Sequence, residues 1–150
     1  MELLKRANDG LYCQSSSVSI FDLRQFFSQI DKAVFVDFQE VVWTSGMHIV
    51  PYDLVKKRTE SEVLDNLHTE NKLAITSIGD IYLLMKKHKS GTKMFKENGA
   101  SNFFFVNNKR GESRQLAVVF MTDGAHLKYY YMEHKNLWLP GRRIFGKPPN

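Results

Sequence analysis

The chain has 150 residues, of which 43% are hydrophobic and 25% are charged, a composition ordinary for a globular protein. It contains no run of about 18 apolar residues, which argues against a membrane-spanning helix, and its first residues lack the apolar core of a signal peptide. The single cysteine, Cys13, rules out an internal disulfide and lacks the neighbours that a zinc site needs. We therefore expect one domain in a reducing, cytoplasmic setting, with no membrane partner, cofactor or metal.

The net charge of +5 is divided unevenly along the chain. Up to Leu84, eight lysines and arginines stand against twelve acidic residues, a balance of −4. From Met85 onward, thirteen basic residues stand against four acidic ones, a balance of +9. This polarity favours a polyanionic partner for the second half of the chain, although basic residues scattered over a surface would serve solubility alone.

The first fifty residues carry signals for one helix and two strands. Ser19 and Asp22 have the spacing of a capping box, and apolar residues then recur at helical spacing, which predicts an amphipathic helix over residues 19–30. Residues 33–43 are rich in valine, phenylalanine and tryptophan and predict a strand. A short return strand is expected at residues 47–50.

Two further capping boxes, Thr59 with Glu62 and Ser77 with Asp80, predict the starts of two helices. The second helix has apolar residues at i, i+3, i+4 and i+7 from Ile78 and ends in a run of lysines. Cations at a helix C-terminus complement the macrodipole, so these lysines have a structural explanation as well as a functional one. Short helical turns are also predicted at residues 2–7 and 93–97.

An antiparallel meander follows, with a tight hairpin at Asp123 and Gly124 and a basic loop at residues 108–114. Its strands are predicted at residues 103–107, 116–121, 127–132 and 136–139. Together the elements predict a single α+β domain over residues 1–139, in which a meander of four to six strands packs against about three helices. Residues 140–150 show neither helical nor strand periodicity and are predicted to form an extended basic C-terminal arm.

A metal-dependent nuclease is the first catalytic interpretation of this meander, because Asp123 and the Glu133, Lys135 pair resemble its parts. Asp123 and Glu133 lie at opposite ends of one predicted strand, roughly 33 Å apart at 3.3 Å per residue. They cannot share a metal ion. A metal-independent ribonuclease stays open as an alternative, since His126, Lys128 and Tyr130 would project from one face of the strand. The same three residues would also be an ordinary polar stripe on a half-exposed strand.

The leading hypothesis is a non-enzymatic protein that binds nucleic acid or a nucleoprotein complex through its basic C-terminal half. The basic loop and the arm are expected to meet at one corner of the meander and contact phosphates, while tyrosines between the cations would stack on bases. The predicted phosphate-binding residues are Lys109, Arg110, Arg114, Arg142 and Arg143, with Lys86, Lys87 and Lys89 as secondary contacts.

The remaining alternative is a small inhibitor or adaptor that recognises an acidic surface of a partner protein. The same lysines and arginines would contact that surface, and the C-terminal arm with Phe145 would dock in a groove of the partner.

Overall fold

The computed structural model describes residues 2–133 and 135–149, and within them the chain mixes four helices with thirteen strands. The helices are the 3₁₀ helix η1 (Ile20–Gln25), α1 (Lys32–Asp37), α2 (Glu60–Thr69) and α3 (Ile78–Lys89). The strands are β1 (Leu4–Arg6), β2 (Leu11–Tyr12), β3 (Ser17–Ser19), β4 (Gln29–Ile30), β5 (Val41–Trp43), β6 (His48–Leu54), β7 (Arg58–Thr59), β8 (Ile75–Thr76), β9 (Asn102–Asn107), β10 (Ser113–Met121), β11 (Gly124–Tyr131), β12 (Leu137–Trp138) and β13 (Arg143–Gly146). No helix in the described ranges is long and apolar enough to cross a membrane.

Nine of these strands form one large sheet in the order β1-β6-β13-β9-β10-β11-β4, with β2 added to β6 and β8 to β9. The predicted meander is confirmed: β9, β10 and β11 pair in antiparallel succession, and Leu116 of β10 lies between Phe104 and Tyr129. The predicted four to six strands and three helices are too few. β12 also pairs with β7 instead of extending the meander.

Apolar side chains cover both faces of the large sheet. On one face, the α3 face, Phe104, Leu116 and Phe145 pack against η1 and α3. On the other, the α2 face, Phe103, Ala117 and Ile144 pack against α2 and Trp138 of β12. Because neighbouring residues of a strand point to opposite faces, the register of β9, β10 and β13 decides which side chains share each face.

The two long helices begin where the capping boxes predicted. The Thr59 side chain accepts a hydrogen bond from the backbone N–H of Glu62, whose carboxylate accepts one from the backbone N–H of Thr59. Ser77 and Asp80 make the same reciprocal pair at the start of α3. Each cap supplies partners for backbone N–H groups that a helix leaves unpaired, a contribution of about 1 kcal/mol.

The predictions for the first half of the chain are corrected at several points. The helix expected over residues 19–30 is only the short helix η1. The backbone N–H groups of Ser28 and Asp31 instead donate to the carbonyls of Ala125 and Leu127 in β11, so the chain joins the sheet after η1. Residues 33–43 do not form one strand: α1 takes up the first part, and only Val41–Trp43 forms a strand. Tertiary contacts override the strand preference of their valines and phenylalanines, because this preference depends on context.

Three shorter segments also differ from expectation. Residues 2–7 contain the edge strand β1 instead of a helical turn, since Leu4 and Arg6 pair with β6. β6 does not end before Pro51 but runs through it to Leu54. Residues 93–97 form no helix.

The prediction of an extended basic C-terminal arm over residues 140–150 is corrected in its central part. Arg143–Gly146 forms β13, an interior strand that pairs with β6 on one side and β9 on the other. Ile144 is fully buried on the α2 face and Phe145 on the α3 face. A four-residue strand that is apolar on both faces leaves no alternating pattern in the sequence, which explains why it was missed.

Candidate functional site

Two arginines of the basic loop lie in an internal network of hydrogen bonds. The Arg110 Nε donates to Glu112 Oε1 at 2.7 Å, and the Arg114 Nε donates to the Tyr129 hydroxyl at 3.0 Å. The Tyr129 hydroxyl in turn donates to Asp37, and this hydrogen bond is the largest of the contacts that hold the pKa of the Asp37 carboxyl below its usual range. Two arginines are thus balanced by two carboxylates, and little of their charge is left for an outside partner.

Lys109 differs from its neighbours in this loop. Its side chain is exposed and makes no ion pair within the described residues, while its backbone N–H donates to the carbonyl of Asp37 at 2.8 Å. The loop therefore presents one unpaired lysine instead of the predicted cluster of three cations.

Arg143 is also neutralised inside the fold. Its guanidinium bonds both carboxylate oxygens of Asp53, at 2.8 and 3.2 Å, and donates to the carbonyl of Met94 at 3.1 Å. The side chain is only 11% exposed, so this is a bidentate ion pair that joins β13 to β6.

The expected corner between the loop and the arm does not form. Arg143 lies beside Asn102 at the start of β9, whereas the basic loop begins after Asn107 at its end. At about 3.3 Å per residue, the two are separated by most of the length of that strand.

Lys86, Lys87 and Lys89 are exposed on the last turn of α3. Lys86 and Lys87 line a shallow depression together with Tyr12. α3 packs on the α3 face, so these lysines are separated by the sheet from any ligand held on the α2 face.

Arg142 is the predicted cation that stands apart. Its guanidinium makes no hydrogen bond or ion pair among residues 2–133 and 135–149, and it lies over the Phe103 ring, 5.6 Å from the ring centre. Burial lowers the pKa of Arg142. A partly desolvated cation without an anionic partner is unfavourable unless a ligand completes it.

Arg142 lines a pocket of about 310 Å³ on the α2 face. Tyr130 lines it with 42% of its surface exposed. Tyr131, the next residue of β11, directs its ring to the other face of the sheet, where Arg114 lies over that ring, 4.5 Å from its centre. Phe103 and Trp138 form an apolar wall, with their rings stacked 4.3 Å apart. The full lining is Ser101, Phe103, Gln115, Tyr130, Tyr131, Asn136, Leu137, Trp138 and Arg142.

The strand pairings bring these residues together from distant parts of the sequence. Gln115 pairs across the sheet with Tyr130, and its buried amide donates to the carboxylate of Glu60 in the first turn of α2. β12 pairs with β7, the strand just before α2. This pairing places Trp138 of β12 over the ring of Phe103. Arg142 and Tyr130 were named from the sequence, but the contributions of Gln115 and Ser101 depend on register and had no sequence signal.

His126, Lys128 and Tyr130 share one face of β11, as the alternation predicted, and their pairing with Val119, Ala117 and Gln115 of β10 places them on the α2 face. The His126 Nε2 is 2.7 Å from Asp123 Oδ1, and this contact is the main reason that the pKa of Asp123 is lowered. His126 is thus bound to the hairpin turn, while Lys128 makes no ion pair in the described part of the chain. Lys128 therefore adds a second unpaired cation to the face that holds the pocket.

Within the described ranges, no group of three or more histidine, cysteine, aspartate or glutamate side chains is arranged to hold a metal ion. No protein-family model, curated protein or solved structure shows a significant match to the chain. The geometry of the pocket is therefore the basis for the function proposed below.

Proposed function

We propose that the chain is a non-enzymatic protein that binds single-stranded nucleic acid in the pocket on the α2 face. Arg142 contacts a phosphate, and Tyr130 stacks against a base. One observation carries the proposal: a partly buried, unpaired guanidinium lies in the same 310 Å³ pocket as the exposed tyrosine Tyr130.

The chemistry of the pocket matches the two parts of a nucleotide. A phosphate offers the guanidinium the charged acceptor that the protein does not supply, and such bonds are about twice as strong as neutral ones. Stacking on an aromatic side chain contributes about 1 to 3 kcal/mol per base and tolerates every base. A pocket of this size admits one nucleotide unit at a time, so the proposed ligand is an unpaired strand and not a duplex with its bases stacked inside.

A nearby lysine extends the proposed site along the nucleic-acid strand. Lys128 lies on the same face, two residues before Tyr130 in β11, where it can contact a neighbouring phosphate. Lys86, Lys87 and Lys89 are left out of the proposal because the sheet separates them from the pocket. Arg110, Arg114 and Arg143 are left out as well, because carboxylates within the fold pair with each of them.

Binding of a fluorescent 12-nucleotide oligo(U) tests this assignment with a matched pair of arginines. Arg142→Gln removes the proposed phosphate contact and is expected to weaken binding about tenfold or more. Arg24→Gln is the control, since Arg24 also lies over aromatic rings, Phe21 and Phe35, but on η1 at the opposite face. Equal affinities of the two variants would contradict the proposal.

The metal-independent ribonuclease remains the second candidate, because His126, Lys128 and Tyr130 share the face that holds Arg142. Under that proposal, bound RNA is cleaved and His126→Ala abolishes cleavage while binding persists. The adaptor alternative required Phe145 to dock in a groove of the partner, but Phe145 is fully buried within the fold.

We further infer that the described residues form a single α+β domain acting in the cytoplasm. Its one cysteine, Cys13, is buried and unpaired, and burial raises the pKa of its thiol, as suits a small apolar side chain of the core.

A further inference from the structure

The outer edge of β5 is a second surface with an open binding geometry. Val41 and Trp43 are 57% and 65% exposed, whereas Val42 between them turns inward to the core. β5 pairs with β3 on one side, and no strand in the described residues pairs with its other side.

Hydrogen bonds at the two ends of the β3–β5 pair define which backbone groups of β5 point outward. Ile20 donates its N–H to the carbonyl of Glu40 at 2.7 Å, and Thr44 donates to the carbonyl of Ser16 at 2.9 Å. In an antiparallel ladder, bonded and non-bonded pairs alternate, so Val42 is the residue bonded to β3. The N–H and C=O groups of Val41 and Trp43 therefore point away from β3.

The edges of the large sheet are protected, in contrast to β5. At one edge, β1 carries the exposed cations Lys5 and Arg6. At the other, the Asp31 carboxylate accepts the outward N–H of Tyr129 at 2.8 Å. Charges and side-chain caps of this kind prevent the addition of another strand, and β5 has neither.

The unprotected edge borders a groove of about 300 Å³. Its lining includes Val41 and Trp43 of β5, Ile75 and Thr76 of β8, and Lys109. Lys109 is the only charged side chain of the lining, and it makes no ion pair among the residues that the structure describes.

We propose that an extended segment of a partner protein adds to β5 as an antiparallel or parallel strand in this groove. Main-chain hydrogen bonds to Val41 and Trp43 supply the affinity, and apolar side chains of the segment pack on the exposed Val41 and Trp43. The unpaired Lys109 specifies the chemistry of the segment: the segment carries an aspartate or glutamate that pairs with this lysine. The site is separate from the nucleic-acid pocket in all its residues.

Selection from a displayed library of random ten-residue peptides tests the proposal. The expected winners alternate apolar and polar residues and contain an acidic residue. Val41→Pro is the key variant, because it removes an outward N–H without touching the bond of Val42 to β3, and it is expected to weaken the selected peptides at least tenfold. Val36→Lys is the control, since Val36 is 63% exposed on α1 outside the groove, and it should leave binding unchanged.

Amide hydrogen exchange gives an independent readout that does not rely on a variant. Binding of a selected peptide should slow exchange at Val41 and Trp43 at least tenfold, while Val42 is already protected in the free protein. A selected peptide that leaves both amides unprotected would overturn the proposal, as would a library that enriches equally on wild type and Val41→Pro. A dimer that Val41→Pro dissociates would also overturn it, by assigning the edge to a second copy of the chain.

Discussion

The guanidinium of Arg142 lies over the ring of Phe103, 5.6 Å from its centre, without an acidic partner among the described residues. Arg143, the next residue, is held by both oxygens of Asp53. The two adjacent arginines thus have opposite roles: one joins two strands, and the other keeps its charge available to a ligand.

Replacing Arg142 by methionine should separate stability from binding. The partly buried charge costs free energy that no protein group returns, while methionine keeps the contact with Phe103, so we expect the free energy of unfolding to stay unchanged or rise by up to about 1 kcal/mol. Urea unfolding of Arg142→Met measures this change, and nucleic-acid binding should fall in the same variant. Arg143→Met is the matched comparison and should be clearly destabilised, because it leaves Asp53 without its main partner.

Removing only the hydroxyl of Tyr129 should lower the stability of the fold. In Tyr129→Phe the ring still packs against Phe38, but Asp37 and Arg114 both lose a hydrogen-bond partner. We expect a loss of about 1 to 2 kcal/mol in the free energy of unfolding. Tyr130→Phe is the control because the Tyr130 hydroxyl makes no hydrogen bond in the described residues, and an equal loss in both variants would contradict the network.

His88 should tolerate asparagine better than glutamine. Its buried Nδ1 accepts the backbone N–H groups of Met94 and Phe95 at 3.0 and 3.2 Å, and its Nε2 donates to Glu97. Asparagine can place an oxygen near the position of Nδ1, whereas glutamine places its amide near Nε2 and leaves two buried N–H groups without an acceptor. Thermal unfolding should show His88→Gln as the less stable variant, by about 1 to 3 kcal/mol.

Acid should weaken the fold partly through Glu97. The hydrogen bond from Lys93, followed by that from His88, lowers the pKa of Glu97 to about 2 in the folded chain. A lowered folded-state pKa stabilises the protein at pH values above the unfolded pKa, and this stabilisation is lost as the pH falls from about 4.5 towards 2. Because Glu97 is 45% exposed, solvent screens the pair and the contribution should stay below about 1 kcal/mol.

The unfolding midpoint measured from pH 2 to 6 tests that contribution. The unfolding midpoint of Glu97→Gln should fall less than that of wild type as the pH decreases. Glu40→Gln is the control, because Glu40 is exposed and makes no ion pair in the described residues, and its midpoints should follow those of wild type. A Glu97→Gln curve that parallels wild type over this range would show that the pair with Lys93 and His88 does not contribute.

The sequence was most informative where a local pattern decides the structure. The capping boxes at Thr59 and Ser77 and the hairpin at Asp123 act over three or four residues, and the elements that they start are present. α1 and β13 were missed because their conformation depends on distant contacts, as when β13 completes the sheet between β6 and β9.

The candidate site divides in the same way. The sequence identified Arg142 and Tyr130 as chemically suitable, but it gave no means of separating Arg142 from Arg143. That distinction follows from sheet register, which points Arg143 towards Asp53 and Arg142 into the pocket. Pairing partners, and not residue types, decide which cations remain free for a ligand.

The salt dependence of oligo(U) binding by wild type and Arg142→Gln is the sharpest test of the proposed contact between Arg142 and a phosphate. Each phosphate contact to a single strand contributes about −0.7 to the slope of the logarithm of the binding constant against the logarithm of the salt concentration. We predict that Arg142→Gln makes this slope shallower by about 0.7 and weakens binding at every salt concentration, while Arg24→Gln leaves both unchanged. A wild-type affinity that does not depend on salt, or an identical slope in wild type and Arg142→Gln, would contradict the assignment of Arg142 to a phosphate.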